Sequence, residues 1–214
     1  MKFYGYFRSS AAYRVRIALN LKGLACDNEY VHLTRGGGEQ FQPGYLRLNP
    51  QALVPALIDG DVVLTQSLAI IEYLEETHPR PALLPAGAAD RARVRALALA
   101  VACDIHPLNN LRVLNYLTRE LGVSEADKNR WYQHWVLLGV KGLEALLADN
   151  PMTGTYCHGE QPTLADVCLV PQVFNARRFK CDLSDCPTVV RIVDSCNKLT
   201  AFRDAAPENQ PDKE

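Results

Sequence analysis

Over residues 1–80, short apolar runs alternate with polar turns in a pattern that predicts a mixed α/β unit. Residues 2–7 are aromatic-rich and alternate in polarity, which predicts a strand. Two serines then open a helix that we expect to end near Lys22, where Gly23 offers a stop. Residues 27–33 alternate imperfectly and predict a second strand. The chain therefore starts as strand, helix, strand.

The pattern continues with a hairpin and another helix. Asp59-Gly60 lies between two apolar runs, which is a strong hairpin signal. Pro55 stands where the first hairpin strand begins, a position at which proline is tolerated and a cis bond would turn the chain tightly. Ser67 is the expected N-cap of the following helix, and its apolar face is Ile70, Ile71 and Leu74. This order predicts a thioredoxin-like α/β domain over residues 1–80.

The rest of the chain has helical periodicity. Residues 81–88 are proline-rich and form the expected linker to an all-helical domain over residues 89–214. Pro107 follows His106 inside a long apolar pattern and predicts a kink. Thr163 precedes an acid by three residues, which predicts a capping box and a structural role. The polar tail, residues 207–214, is expected to fray.

Composition narrows the class of protein. The 214 residues are 48% hydrophobic, enough to form a sizeable core. They carry 23 basic and 24 acidic side chains, a net charge of -1, so the chain lacks the excess of basic residues that is typical of nucleic-acid-binding proteins. No apolar run approaches the ~20 residues of a membrane span, and the start does not resemble a signal peptide. Seven cysteines without a CxxC pair suit reduced thiols, and the five histidines lack ligand spacing. We expect a cytoplasmic protein with no metal site and no nucleic-acid or membrane partner.

Helix starts provide the candidate chemistry. The hydroxyls of Ser9 and Ser10 lie beside N–H groups without intrahelical partners, at the positive end of the helix dipole, a place that stabilises an anion such as a thiolate. Gln66 and Ser67 could hold a carboxylate in the same way. Val54, before Pro55, could leave its backbone free to pair with an extended peptide. Simple helix capping explains the serines equally well when each is taken alone.

Together these residues resemble the zeta class of glutathione transferases, the group that contains maleylacetoacetate isomerase and maleylpyruvate isomerase. The resemblance covers nearly the whole chain. It is carried by Phe7-Arg8-Ser9-Ser10, by residues 14–19, by residues 66–74 and by residues 165–173. The family pattern usually reads Ser-Ser-Cys-Ser-Trp where this chain has Ser9-Ser10-Ala11-Ala12-Tyr13, so a protein thiol is absent there.

The resemblance implies a glutathione transferase architecture and a set of site residues. Ser9 and Ser10 are the implied catalytic pair that faces the glutathione thiol. The implied glutathione contacts are Ser9, Ser10, Ala11, Gln40 in a Gly-rich loop, Val54, Gln66 and Ser67, with His106, Asn110 and Arg112 from the helical side of the cleft. The implied binders of substrate carboxylates are Arg8, Arg112 and Arg178.

The implied activity is glutathione-dependent cis-trans isomerisation of maleylacetoacetate to fumarylacetoacetate, in tyrosine and phenylalanine catabolism. Glutathione would be the cofactor, a small dicarboxylate the substrate, and a cytosolic homodimer the assembly. Maleylpyruvate isomerase of the gentisate pathway is the alternative with the same chemistry. A general glutathione transferase or dehalogenase, and a glutathione-binding module without catalysis, also stay open.

Overall fold

A four-stranded sheet forms the centre of the first unit. In the computed structural model, which describes all 214 residues, its strands are β1 (Lys2–Gly5), β2 (Asp27–Tyr30), β3 (Ala56–Asp59) and β4 (Val62–Thr65). The strand order is β2-β1-β3-β4, with β1 parallel to β2 and antiparallel to β3, and β3 antiparallel to β4. This confirms the predicted strand–helix–strand–hairpin layout. Both β1 and β2 end earlier than predicted, at Gly5 and Tyr30.

Three helices pack with this sheet: α1 (Ser10–Leu21), α2 (Pro43–Leu48) and α3 (Ser67–Thr77). The core-facing residues of α1 include Val15, Ile17 and Ala18, all fully buried. The predicted apolar face of α3 is confirmed, because Ile70 and Leu74 are also fully buried. Burial of these faces removes apolar surface from water and holds the helices on the sheet.

The second unit is all-helical. Its helices are α4 (Ala88–Leu99), α5 (Leu111–Arg119), α6 (Glu125–Leu147), α7 (Leu164–Arg178) and α8 (Pro187–Cys196), and a further helix, α9 (Thr200–Ala205), follows in the chain. Between α4 and α5 the chain passes through a π-helical segment, Ala100–Ile105, and a 3-10 turn, His106–Asn109. The regular α-helix therefore ends at Leu99, eight residues before Pro107, rather than continuing to the kink predicted at this proline. No helix in the chain combines the length and apolar composition needed to cross a membrane.

The capping box at the start of α7 is confirmed. The Asp166 carboxylate is fully buried and accepts hydrogen bonds from the Thr163 N–H and hydroxyl, each at 2.8 Å. Its other oxygen accepts the Cys157 N–H at 2.8 Å. Burial raises the pKa of this carboxyl, and the hydrogen bonds oppose that rise. The box therefore fixes both the start of α7 and the loop before it.

The C-terminal residues belong to the first unit. The two units comprise residues 1–82 with 197–214, and residues 83–196, whereas the sequence-based division assigned all of residues 89–214 to the helical domain. The reason is that α9 packs along α1, where the Tyr13 hydroxyl donates to the Phe202 carbonyl at 3.3 Å. The expectation that residues 207–214 fray is wrong, because this segment forms a 3-10 turn and side-chain hydrogen bonds to residues near the start of the chain.

Candidate functional site

The turn between β1 and α1 presents Ser9 as the N-cap of the helix. Ser9 has extended backbone angles, and its Oγ accepts the Ala12 N–H at 3.2 Å. Because this oxygen acts as an acceptor, its hydroxyl proton stays available for a further acceptor. Ser10, the first helical residue, is 5% exposed. The first turn itself carries no acidic side chain, so no carboxylate of α1 offsets the positive end of the helix dipole.

Arg8 extends from the same turn into solvent. Its Nη2 donates to the Tyr6 hydroxyl at 3.0 Å, and its guanidinium lies 5.7 Å from the Tyr6 ring and 5.2 Å from the Phe7 ring. Cation–π contact and a hydrogen bond together restrict a side chain that otherwise has many rotamers. Arg8 is therefore a partly ordered cation beside the serines.

Val54 precedes a cis peptide bond to Pro55, as predicted. Its N–H and C=O take no part in the hydrogen bonds of the sheet or of the neighbouring turns. The preceding residue, Leu53, is fixed by its carbonyl, which accepts from the Tyr45 hydroxyl at 2.6 Å and from Asn49 Nδ2 at 2.7 Å. Val54 therefore offers a donor and an acceptor in an anchored segment, which is what β-type pairing with a peptide requires.

The start of α3 differs from the prediction in one respect. Gln66, with φ 68°, is the N-cap residue because its carbonyl accepts the Ile70 N–H at 3.0 Å; Ser67 is the first helical residue and not the cap. The Ser67 hydroxyl accepts instead from Nη1 of Arg14 at 3.2 Å. Arg14 is 2% exposed and places positive charge under a helix start that has no acidic side chain in its first turn. This arrangement is suited to a carboxylate.

Gln40 lies inside the Gly-rich loop rather than on its surface. Its side chain is buried, with Nε2 donating to the Leu33 carbonyl at 3.2 Å and Oε1 lacking a partner. A Cβ on Gly38 would lie 2.6 Å from Nε2 of Gln40, and Gly38 has φ 112°, so glycine is required there. A buried acceptor without a donor is costly, and a ligand N–H would satisfy it.

The sheet register brings these positions to one end of the first unit. Tyr4 in β1 pairs with Ala56 in β3, and Ala56 pairs with Thr65 in β4. The turn that carries Ser9 and Ser10 (the serine turn) follows β1, Val54 lies two residues before the start of β3, and Gln66 follows β4 directly. The serine turn, the unpaired backbone of Val54 and the start of α3 therefore lie side by side at this end of the sheet.

The predicted site residues of the helical unit lie at the ends of helices and in the turn before α5. Asn110 is the N-cap of α5, its Oδ1 accepting the Arg112 N–H at 3.1 Å, while Arg112 itself is exposed. His106 begins the 3-10 turn and is half-buried. Arg178 ends α7 with its guanidinium 4.6 Å from the Phe179 ring. Their predicted contacts with glutathione and substrate stay predictions.

Sequence reasoning missed several polar groups that support the site. Tyr6 and Arg14 lie in largely apolar segments of the sequence. No local pattern there shows that Tyr6 binds Arg8 or that Arg14 binds Ser67. Asp212 lies in the segment that the sequence predicts to fray. Nowhere do three or more His, Cys, Asp or Glu side chains come together as a metal site would require.

Comparisons with known proteins identify the family to which the chain is similar. Residues 3–82 match the N-terminal domain family of glutathione S-transferases. Over 209 residues the chain is 57% identical to a Vibrio cholerae protein described as a probable maleylacetoacetate isomerase, covering 98% of this chain and 96% of that one.

Two solved structures extend the similarity to the whole fold. The holo structure of a maleylpyruvate isomerase, described as a bacterial glutathione S-transferase of the zeta class, has a TM-score of 0.97 and 51% identity over 100% of both chains. A maleylacetoacetate isomerase from Methylobacterium extorquens AM1, solved with malonate and glutathione, has a TM-score of 0.96 and 42% identity, also over 100% of both chains. With its thioredoxin-like unit, its helical unit and these relatives, the chain belongs to the zeta-class glutathione transferase family.

Proposed function

We propose that this protein is a glutathione-dependent cis-trans isomerase that converts maleylacetoacetate to fumarylacetoacetate in the breakdown of tyrosine and phenylalanine. The observation behind the proposal is that three features lie side by side at one end of the sheet. They are the serine turn, the Val54 backbone and the start of α3. These three features match, in order, the thiol, the peptide backbone and the γ-glutamyl carboxylate of glutathione. The names of the relatives support the reaction.

The residues present fit glutathione. Val54 would pair with the cysteinyl part, Gln66 and Ser67 would hold the γ-glutamyl end, and Gln40 would use its unsatisfied Oε1 for a ligand N–H. When bound, glutathione supplies a thiolate that adds reversibly to the conjugated double bond, so that the bond can rotate before it reforms. Ala11 stands where the family pattern usually has cysteine, so the protein has no thiol at this position and glutathione would supply the sulfur.

The serine turn would keep the bound thiol ionised. A thiol with a pKa of ~8.5 needs a drop of about two units to be mainly thiolate at neutral pH, or roughly 2.7 kcal/mol at ~1.36 kcal/mol per unit. A hydroxyl hydrogen bond to an anion contributes about 1.5–3 kcal/mol, and a helix N-terminus adds ~0.3–1 kcal/mol. Ser9, which already accepts from the Ala12 N–H, has its proton to donate to the sulfur.

The arginines would bind the substrate. Arg8, Arg112 and Arg178 are exposed cations, and guanidinium groups pair well with carboxylates. They would also stabilise negative charge that develops on the substrate oxygen during the reaction. This second role is why we assign the chain an isomerase activity rather than glutathione binding alone.

We extend the proposal to a cytoplasmic homodimer. The edge strand β4 exposes the apolar side chains of Val62 and Val63, and Phe41 in the loop is also largely exposed. Apolar groups on an open sheet edge are a liability unless another chain covers them. A second copy of this chain is the occupant that the family resemblance favours.

An ultraviolet assay of the purified protein tests the proposal. Maleylacetone, as a stand-in for maleylacetoacetate, and maleylpyruvate would each be incubated with enzyme, with and without glutathione. We expect isomerisation that requires glutathione and is faster with maleylacetone. Faster turnover of maleylpyruvate would favour the alternative gentisate-pathway enzyme, which the 51% identical relative represents. If the protein bound glutathione but isomerised neither compound, it would be a glutathione-binding module without catalysis. If it bound no glutathione, the proposal would be overturned.

A further inference from the structure

The C-terminal segment, residues 207–214, contacts the turn that carries Ser9. Oδ2 of Asp212 accepts a hydrogen bond from the Phe7 N–H at 2.9 Å, two residues before Ser9. Asp212 is only partly exposed, so water competes less for this bond than on an open surface. A charged acceptor makes the bond stronger than one between neutral groups.

A buried arginine holds the same turn from the other side. Arg16 in α1 donates from Nη2 to the Phe7 carbonyl at 3.0 Å and from Nη1 to the Tyr6 carbonyl at 3.3 Å. Its Nε donates to the Ala205 carbonyl at 2.9 Å, at the end of α9. Burial lowers the pKa of Arg16 to about 10, so the side chain stays cationic at neutral pH, and the nearby Asp212 carboxylate supports that charge.

Both polar groups of the Phe7 backbone are therefore bound by charged side chains, the N–H by Asp212 and the C=O by Arg16. The Tyr6 carbonyl in turn accepts the Ser9 N–H at 3.0 Å. Hydrogen bonds therefore connect positions 6 to 9 with one another and with the C-terminal segment.

A second anchor keeps that segment in place. Nδ1 of His32 accepts the N–H groups of Thr34 and Arg35, so in the neutral ring the proton lies on Nε2, which contacts the Glu214 carboxylate at 2.9 Å. Arg35 also reaches Glu214 at 2.9 Å. The His32 ring packs against Tyr6, with centroids 4.9 Å apart, so this anchor adjoins the same turn.

We infer that Asp212 is a positioning residue for the thiol site: by fixing the Phe7 N–H opposite Arg16, it holds the Ser9 hydroxyl where it can stabilise the bound thiolate. The inference rests on the proposed function, since it assigns Ser9 to the glutathione sulfur. Asp212 itself has no contact with the ligand in this account. Its loss acts through the geometry of residues 6 to 9.

Two substitutions at this position separate the hydrogen bond from the charge. Asp212→Ala removes both, whereas Asp212→Asn keeps an oxygen that can accept the Phe7 N–H. Glu208→Ala is the matched control, because Glu208 is exposed in the same segment and also carries one negative charge. For each variant we would measure the pKa of the bound glutathione thiol from thiolate absorbance, kcat and KM, the melting temperature, and hydrogen exchange of the Phe7 amide.

We expect Asp212→Ala to raise the pKa of the bound thiol by about one unit. At neutral pH this lowers the thiolate fraction, and therefore kcat, by up to about tenfold. The KM for glutathione should change less. Asp212→Asn should recover most of this loss, Glu208→Ala should match the wild type, and only Asp212→Ala should lose protection of the Phe7 amide.

A thiol pKa in Asp212→Ala equal to that of Glu208→Ala would overturn the inference, even if the variant melted at a lower temperature, because the segment would then be purely structural. Wild-type protein that binds no glutathione would instead refute the proposed function. The two failures are therefore distinguishable in one set of measurements.

Discussion

The hydroxyl oxygen of Tyr6 accepts a hydrogen bond from Nη2 of Arg8 at 3.0 Å, so a buried aromatic residue orients the exposed cation that follows it by two positions. This contact lies within the turn that carries the serines. It links the fold of the β1–α1 turn to the arginine that we assign to substrate binding.

The Tyr6–Arg8 bond predicts the effect of Tyr6→Phe. The ring and its packing remain, but Arg8 loses its anchor, a loss of about 1 kcal/mol or roughly fivefold. We expect the KM for the dicarboxylate substrate to rise by that factor while kcat and the melting temperature change little. Steady-state kinetics would show it, with Tyr4→Phe, two residues earlier in β1, as the control. An unchanged KM would mean that Arg8 does not need Tyr6.

The two serines are distinguishable by substitution. Ser9→Ala and Ser10→Ala should each lower turnover with the fold intact, and we expect Ser9→Ala to have the larger effect, roughly 10- to 100-fold, because it removes a donor to an anion. Ser9→Ala also removes an N-cap and should lower stability by about 1 kcal/mol. Ser124→Ala, which removes the N-cap of α6, controls for capping alone. Wild-type turnover in both site variants would refute the thiolate assignment.

Neighbouring arginines at the end of α7 test substrate binding. Arg178→Ala should raise the Michaelis constant for substrate more than it lowers turnover, because a carboxylate partner is lost from the bound state. Arg177→Ala removes an exposed ion pair with Asp194 and should leave kinetics unchanged. If the two variants had equal kinetic constants, Arg178 would not be a substrate-binding residue.

Two glycines in α6 predict opposite changes in stability. A Cβ on Gly139 would collide with the buried Ile105 side chain, so Gly139→Ala should lower the free energy of unfolding by about 1–3 kcal/mol. No atom lies within 4 Å of a Cβ on Gly142, so Gly142→Ala should raise it by up to about 1 kcal/mol through helix propensity. Urea denaturation measures both. Equal effects would show that the α6 contact with Ile105 is looser than described.

Tyr132 predicts a loss of stability at alkaline pH. Burial raises its pKa from the model-compound value of 10.0 to about 12, although the adjacent Arg178 opposes the shift. The unfolded chain loses this proton first, so stability falls as pH rises from about 10 to 12, by at most about 3 kcal/mol. Tyr132→Phe should show a shallower decline in urea denaturation over that range, whereas Tyr116→Phe, at an exposed site, should follow the wild type. Parallel declines in all three proteins would contradict the prediction.

Features with a local physical cause were predictable from the sequence. The Asp59-Gly60 hairpin and the Thr163–Asp166 capping box follow from backbone preferences within a few residues, and the structure confirms both. The serine turn at the start of α1 is of the same kind. The family resemblance rests on such segments, which is why it assigned the fold correctly.

Other features needed the tertiary structure. Phe7 and Asp212 are 205 positions apart in the chain, and Arg16 and Ala205 are 189 apart, so no periodicity or spacing could pair them. A polar tail looks free to fray until the fold supplies a buried N–H for its carboxylate. Likewise, Ser67 is a residue type that commonly caps helices, but its hydroxyl accepts a hydrogen bond from Arg14 instead. The N-cap is the preceding residue, Gln66, which has a positive φ. Local rules determine which segments form, whereas the long-range polar contacts decide how the turn that carries Ser9 is held.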